Sequence, residues 1–225
     1  MSAAVLIGDL MLSWCDEMLT TAILDSPSMS EHIGRARTYF DLCKTEVVAG
    51  QFLDVVGQTR QTVSWDEAMT VVRYKSAKYT VERPLHIGAA LAGADDQPID
   101  ALSAVALPLG EAFQLRDDVL GVFGDPAVTG KPAGDDLREG KRTVLIARAH
   151  EPTDDAGRQL LRDSLGTAEG VPAVADLIRS CGALEAVEHD ISALEAAADA
   201  AIDALGPAAR DVLGPLALTA TRRSR

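Results

Sequence analysis

The chain has 225 residues and a formal net charge of -13; 47% of its residues are hydrophobic but only 4% are aromatic. This length is enough to bury one sizeable core, and the abundance of Ala and Leu favours helices over strands. The acidic balance argues against nucleic acid as a partner, because binding a phosphate backbone needs Lys and Arg. Three cysteines, an odd number without paired spacing, indicate a reducing, cytoplasmic setting.

The N-terminal segment predicts an apolar helix over residues 2–20. No basic stretch precedes it, and Asp9 and Asp16 interrupt its apolar run. These features fit neither a signal peptide nor a transmembrane segment. The helix begins almost at Met1 without a preceding cap, yet residues 2–20 alone are equally compatible with an ordinary amphipathic first helix.

Helical periodicity and capping residues predict the other elements in chain order. Ser28 or Ser30 is the expected cap of a second helix that runs to about Gln58, and Ser64 is the expected cap of a third. That third helix should break or kink near Pro84. Later helices are predicted at residues 98–124, 143–150, 154–165, 171–180, 183–205 and 207–220. No segment has a strand period, so the predicted fold class is all-α, with one domain over residues 1–225.

Residues 113–143 form the stretch around which the chain is organised, a helix followed by a Gly/Pro-rich loop and a second helix. Gln114, Asp117, Asp118 and Gly121 share one helical face, because they are spaced at i, i+3, i+4 and i+7. Apolar residues cover much of the remaining circumference, so this helix should be largely buried. Two adjacent carboxylates on a buried helix are costly unless a cation lies between them.

The loop that follows adds Lys131 and Lys141, two ammonium groups that can reach a polyanion. An acid pair, a metal ion and lysines together describe a diphosphate site, because Mg²⁺ prefers a few carboxylates plus substrate phosphate oxygens. An Asp-Asp pair alone carries little information here, since the chain contains four of them, at 95–96, 117–118, 135–136 and 154–155. The pair at 117–118 differs because it interrupts an apolar run, and the pair at 135–136 because lysines bracket it.

This stretch resembles the second aspartate-rich region of the trans-isoprenyl diphosphate synthases, the family that includes farnesyl and geranylgeranyl diphosphate synthases. The family pattern is Phe-Gln-x-x-Asp-Asp-x-x-Asp, then a Thr-Gly-Lys loop, an Asp-Leu and a Gly-Lys-x-Thr. It is matched by Phe113, Gln114, Asp117, Asp118, Thr129, Gly130, Lys131, Asp136, Leu137, Gly140, Lys141 and Thr143. One position departs, because the last Asp of the acidic motif is Gly121 here. Asp125, one turn further on, is a candidate to replace it in part.

Two earlier segments extend the resemblance. The string from Glu46 to Asp54 is similar to the family helix that carries Gly-Gln-x-x-Asp, which implies that Gln51 and Asp54 point into the substrate cavity. Taken without the family, both are compatible with interhelical hydrogen bonding. Lys75 and Ser76 lie at the positions of the family's Lys-Thr segment, where the lysine contacts the diphosphate of the allylic substrate.

The resemblance implies an isoprenoid-synthase helical bundle around a central cavity, and a prenyltransferase that condenses isopentenyl diphosphate with an allylic diphosphate. The reaction would proceed by Mg²⁺-assisted ionisation of the allylic diphosphate, with geranylgeranyl diphosphate as the expected product. The implied roles are metal binding by Asp117 and Asp118, diphosphate binding by Lys75, Lys131 and Lys141, and catalysis by Lys75, Ser76 and Gln114.

The family's first aspartate-rich motif has no counterpart in this sequence, so the resemblance is expected to cover the C-terminal two-thirds of a family member. Three explanations stay open: a fragment, a truncated paralogue, and a subunit completed by a partner chain. The competing functional hypothesis is therefore a helical subunit, without activity of its own, that joins a complete synthase. The expected assembly is a homodimer or a hetero-complex with a complete synthase. A class I terpene cyclase shares the bundle, but the Thr-Gly-Lys loop argues against it.

Overall fold

The structure is a computed structural model that describes residues 2–26, 29–130 and 132–221. Its helices are α1 Ser2–Asp25, α2 Ser30–Gln58, α3 Trp65–Val71, a π segment Val72–Glu82, α4 Arg83–Leu91, α5 Asp96–Phe123, α6 Pro126–Thr129, α7 Asp135–Arg138, α8 Val144–His150, α9 Asp155–Ser164, α10 Val171–Ser180, α11 Ala183–Leu205 and α12 Pro207–Thr221. No strand occurs among the described residues, and the all-α prediction is confirmed.

The predicted helix starts are met unevenly. Ser64 caps α3 through a capping box, in which its hydroxyl accepts from the Glu67 amide and its own amide donates to the Glu67 carboxylate. The prediction that Ser30 is a cap is wrong, because Ser30 is already helical; Met29 holds the cap position of α2 and makes no side-chain cap bond. The alternative cap, Ser28, lies outside the described residues.

The core is centred on α5, which contacts both the π segment and α11. Side chains from α5, α8, α10 and α11 are fully buried there, the largest being Leu115, Leu145, Ile178 and Ile191. The apolar face of α11 follows helical spacing, so this helix packs by one stripe, as its sequence pattern indicates. The predicted burial of the central helix is therefore observed.

The third helix does not break near Pro84, because the π segment Val72–Glu82 continues α3 and runs directly into α4. This segment lies between α2 and α5, and a glycine on each flanking helix permits the close approach. A Cβ on Gly50 would lie 2.8 Å from Lys75 Cα, and a Cβ on Gly110 would lie 2.6 Å from Ala77 Cα. Because both glycines contact the π segment at or near Lys75, they set how closely the backbone of Lys75 approaches α2 and α5.

A buried polar network joins the π segment to α2. Arg83 donates two hydrogen bonds to Glu46, of 2.6 and 2.8 Å, and Lys78 lies 2.9 Å from Glu82 and 3.2 Å from Glu46. His86 completes the network beside Arg83, and burial lowers the pKa of this histidine. The charges are compensated within the network, as buried charges must be.

The first helix differs from the rest, because its apolar side chains remain exposed. It lies against α2, yet Leu6 is 67% exposed and Met18 is 72% exposed. Exposed apolar surface of this kind is typical of protein interaction sites. Within the described ranges, no helix combines the length and the apolarity needed to cross a membrane.

Candidate functional site

The two adjacent carboxylates of α5 lie in different environments. Asp117 is exposed, whereas Asp118 is only 7% exposed. Gln114 Nε2 donates a 2.8 Å hydrogen bond to Asp118 Oδ1, and the backbone amide of Val144 also donates to this carboxylate. Asp118 thus ties α5 to the first residue of α8, and Asp117 is the carboxylate of the pair that is open to a ligand.

Burial, together with the charges of Asp136 and Asp117, raises the pKa of Asp118 to about 7. The hydrogen bonds from Gln114 and Val144 favour the ionised form and offset part of this rise. The carboxyl group of Asp118 therefore titrates near neutral pH, far above an ordinary aspartate.

Two lysines of the predicted site, Lys75 and Lys141, are held by carboxylates. Lys141 Nζ lies 2.5 Å from Asp136 Oδ1 and 3.0 Å from Glu139 Oε2. Burial lowers the pKa of Lys141, but the bonds to these two carboxylates outweigh burial and leave the pKa raised, so the ammonium form is secure. Lys131, the other loop lysine of the prediction, lies outside the described residues.

The other described lysine of the prediction, Lys75, also forms an ion pair, in which its Nζ contacts Asp54 Oδ2 at 2.5 Å. This ion pair joins the π segment to α2, and Gln58 makes a 3.4 Å hydrogen bond to the same aspartate. Ser76, the next residue of the π segment, is half-buried, whereas Gln51, one turn before Asp54, is exposed. The structure therefore brings Asp54 and Lys75 together, while the hydrogen bonds of this pair do not involve Gln51.

A cleft of about 160 Å³ lies between α2 and α3. Its wall is largely apolar, and Asp54 and Arg142 are among its charged residues. The lining residues are Leu53, Asp54, Val56, Gly57, Arg60, Val63, Glu67, Thr70, Val71 and Arg142. Asp54, the partner of Lys75, and Arg142, the neighbour of Lys141 in the chain, thus line the same cleft.

Arg142 is a residue that the sequence analysis missed. Its Nε atom is buried without a hydrogen-bond partner, as is the hydroxyl of the adjacent Thr143, and burial lowers the pKa of Arg142. The cleft's own carboxylates are already used, since Asp54 contacts Lys75 and Glu67 contacts Ser64 and Arg60. Arg142 occupies the variable position of Gly-Lys-x-Thr, so the motif gives it no role. The sequence signal that could have identified it as a site residue is its basic side chain next to Lys141.

Asp125, the candidate substitute for the carboxylate missing at Gly121, caps the short helix α6. Its Oδ1 accepts from the Ala127 amide at 2.9 Å. The carboxylate that lies over Gly121 belongs instead to Asp136, whose Oδ2 would overlap a Cβ at that position.

The donor set near α5 is compatible with Mg²⁺, although no three His, Cys, Asp or Glu side chains of the described ranges converge as a metal site. Mg²⁺ usually keeps several waters and takes one or two protein carboxylates plus substrate phosphates. The exposed Asp117 fits this requirement, whereas the buried Asp118 is already engaged by two donors. A metal would therefore be shared between this chain and a bound diphosphate.

Comparison with known proteins identifies the family of this chain. Residues 1–180 match the family model described as polyprenyl synthetase. The (2E,6E)-farnesyl diphosphate synthase of Mycobacterium tuberculosis is 37% identical over 186 residues, which cover 80% of this chain and 50% of that protein. The geranylgeranyl diphosphate synthase of Sulfolobus acidocaldarius is 31% identical over 180 residues, or 78% of this chain and 54% of that protein.

Among solved structures, the geranylgeranyl pyrophosphate synthase of Corynebacterium glutamicum, complexed with isoprenyl diphosphate and magnesium, superposes with a TM-score of 0.91 at 42% identity. The match covers 99% of this chain and 64% of that one. The chain spans about half the length of the curated relatives it matches. By its sequence and its helical bundle, the chain belongs to the polyprenyl synthetase family.

Proposed function

We propose that this chain carries the allylic-diphosphate half of a prenyltransferase that condenses isopentenyl diphosphate with an allylic diphosphate. One observation carries the proposal: Asp54, which is paired with Lys75, and Arg142, which follows Lys141 in the chain, line the same cleft. A largely apolar cleft with Arg142 in its wall, and with Lys75 and Lys141 next to its lining residues Asp54 and Arg142, suits a ligand with a polyanionic head and a hydrocarbon tail.

In this proposal the cations act on the leaving group. Lys75, Lys141 and Arg142 attract the negative charge that grows on the diphosphate as its carbon–oxygen bond breaks, and their carboxylate partners hold the two lysines in place beforehand. Bound at Asp117, Mg²⁺ would add Lewis-acid stabilisation of the same charge. Gln114 keeps Asp118 in position behind this face, and the apolar wall of the cleft excludes water from the reacting carbon.

The finer assignments extend this proposal. The curated relatives include farnesyl, geranylgeranyl and geranylfarnesyl diphosphate synthases. We assign a geranylgeranyl product, supported by the 42% identity to the Corynebacterium glutamicum enzyme. The same proposal includes Mg²⁺ as the cofactor, a cytoplasmic location and a homodimer, the last supported by the exposed apolar surface of α1.

The test is a Mg²⁺-dependent condensation assay on the purified chain, with isopentenyl diphosphate and geranyl or farnesyl diphosphate as substrates. We expect Asp117→Asn to lower turnover roughly 100-fold, since several kcal/mol of charge stabilisation are lost. Asp118→Asn should retain more activity, because an amide oxygen can still accept from Gln114 and Val144. Equal loss in both variants would contradict the separate roles of the two carboxylates.

A second function, that of a subunit completed by a partner chain, is favoured by two observations. The apolar surface of α1 is exposed, and Arg142 has no acidic partner among the described residues. A folded chain that binds Mg²⁺-diphosphate yet gives no product alone, but gives product after co-expression with a complete synthase of the family, would select this function. Turnover by the isolated chain would select the first.

A further inference from the structure

The loop after α5 folds back onto the helix at Gly121. The amide of Gly134 donates a 3.1 Å hydrogen bond to the Gly121 carbonyl, which closes the loop against α5. Directly above, the carboxylate of Asp136 rests on the helix backbone, since a Cβ at position 121 would overlap its Oδ2 and lie 2.8 Å from its Cγ. The space of an absent side chain is therefore filled by a side chain from the loop.

Asp136 also fixes the next cation of the chain. Its backbone carbonyl accepts from the Lys141 amide at 3.0 Å, and its Oδ1 contacts Lys141 Nζ at 2.5 Å. The Asp136 side chain is only 15% exposed, so its orientation is set by packing on one side and by Lys141 on the other. One carboxylate therefore bridges α5 and the ammonium group.

We propose that Asp136 is a positioning residue: its carboxylate occupies the space that Gly121 leaves and holds the Lys141 ammonium beside the face of α5 that carries Asp117. Gly121 lies four residues after Asp117, so both belong to one helical face. This inference rests on the proposed function, in which Lys141 binds the diphosphate. It also explains why position 121 holds a glycine, since the side chain of any larger residue would displace the Asp136 carboxylate.

The opposite role, in which Asp136 merely neutralises Lys141, predicts the opposite sign. A carboxylate that competes with the diphosphate for Lys141 weakens binding, so its removal should tighten binding. A carboxylate that orders a long, flexible lysine strengthens binding, because the ordering cost is met before the ligand arrives. The direction of the affinity change therefore separates the two roles.

The geometry is tested without any ligand by thermal unfolding of Gly121→Ala, Asp136→Ala and the double variant. Gly88→Ala in α4 is the matched control, because a Cβ there meets nothing within 4 Å and alanine is the better helix former. We expect Gly121→Ala to lower the Tm, but to leave it unchanged or raise it when Asp136 is already alanine. Equal shifts in the two backgrounds would overturn the proposal.

The role is tested by calorimetric binding of inorganic diphosphate with Mg²⁺ to the same variants. We expect Asp136→Ala and Gly121→Ala each to weaken binding about tenfold. The double variant should bind no more weakly than either single variant. Asp136→Asn keeps an acceptor for Lys141 and should recover most of the affinity. Unchanged or tighter binding by Asp136→Ala would overturn the positioning role alone. No binding by the parent chain would overturn the proposed function and this role with it.

Discussion

The bundle around α5 and the surface of α1 have similar residue types but opposite environments. Leu115 on α5 is fully buried, whereas Leu6 on α1 is 67% exposed. The difference lies in the neighbours, because α5 is enclosed by the π segment and α11 while α1 lies against α2. Apolar content makes a helix in both places, but only packing on several sides turns apolar area into stability.

The largest contrast is expected from truncating one leucine in each region. Leu115→Ala should lower the free energy of unfolding by about 2–5 kcal/mol, because it opens a cavity in the core. Leu6→Ala should change it by less than about 0.5 kcal/mol, since that side chain already meets solvent. Urea unfolding followed by circular dichroism measures both, and similar values would show that α1 is covered in solution.

The buried acid of the core should make stability depend on pH. The folded pKa of Asp118, about 7, lies above that of an unfolded aspartate, so its contribution is fully present at low pH and is lost as pH rises through about 7. At about 1.4 kcal/mol per pKa unit, the loss amounts to at most about 4 kcal/mol. Asp118→Asn should remove this slope and be the more stable form at pH 8, measured by urea unfolding in EDTA; parallel pH profiles would refute it.

A smaller effect is expected where the core meets the site, at Gly50. Gly50→Ala should cost about 1–3 kcal/mol, because a methyl group there overlaps the backbone of Lys75 and forces the π segment away from α2. It should also weaken diphosphate binding, since Lys75 moves with its backbone. Gly88→Ala again serves as the control, and thermal unfolding with calorimetric binding distinguishes the two variants. Identical behaviour would mean that the close approach is relaxed in solution.

The smallest effect on unfolding is expected on α1, where association should change instead. Leu6→Glu combined with Met18→Glu should alter the free energy of unfolding by less than about 0.5 kcal/mol, because both side chains are exposed. If this surface joins two copies or a partner, the charges should shift sedimentation towards the monomer. A dimer that persists in this variant would place the contact elsewhere.

Local patterns in the sequence predicted most of the helices and part of the site. The cap at Ser64, the apolar stripe of α11 and the buried face of α5 follow from residue type and spacing alone, because each depends on contacts a few residues apart. The predicted cap at Ser30 is wrong, and the π geometry around Lys75 was not predicted. The first differs by one residue of helix fraying, and the second depends on glycines of two other helices.

By itself, the sequence determined the helical class, the family and the positions that carry charge. Composition and helical period indicate the class, and the motifs and their spacing indicate the family. Only the tertiary structure decided that Asp118 is buried and Asp117 open, that Lys75 pairs with Asp54, and that Asp136 fills the space at Gly121. The physical reason is that burial, ion pairing and steric exclusion depend on which distant segments meet. Spacing along one helix gives a shared face, but the neighbours of that face set the pKa and the partner of each group on it.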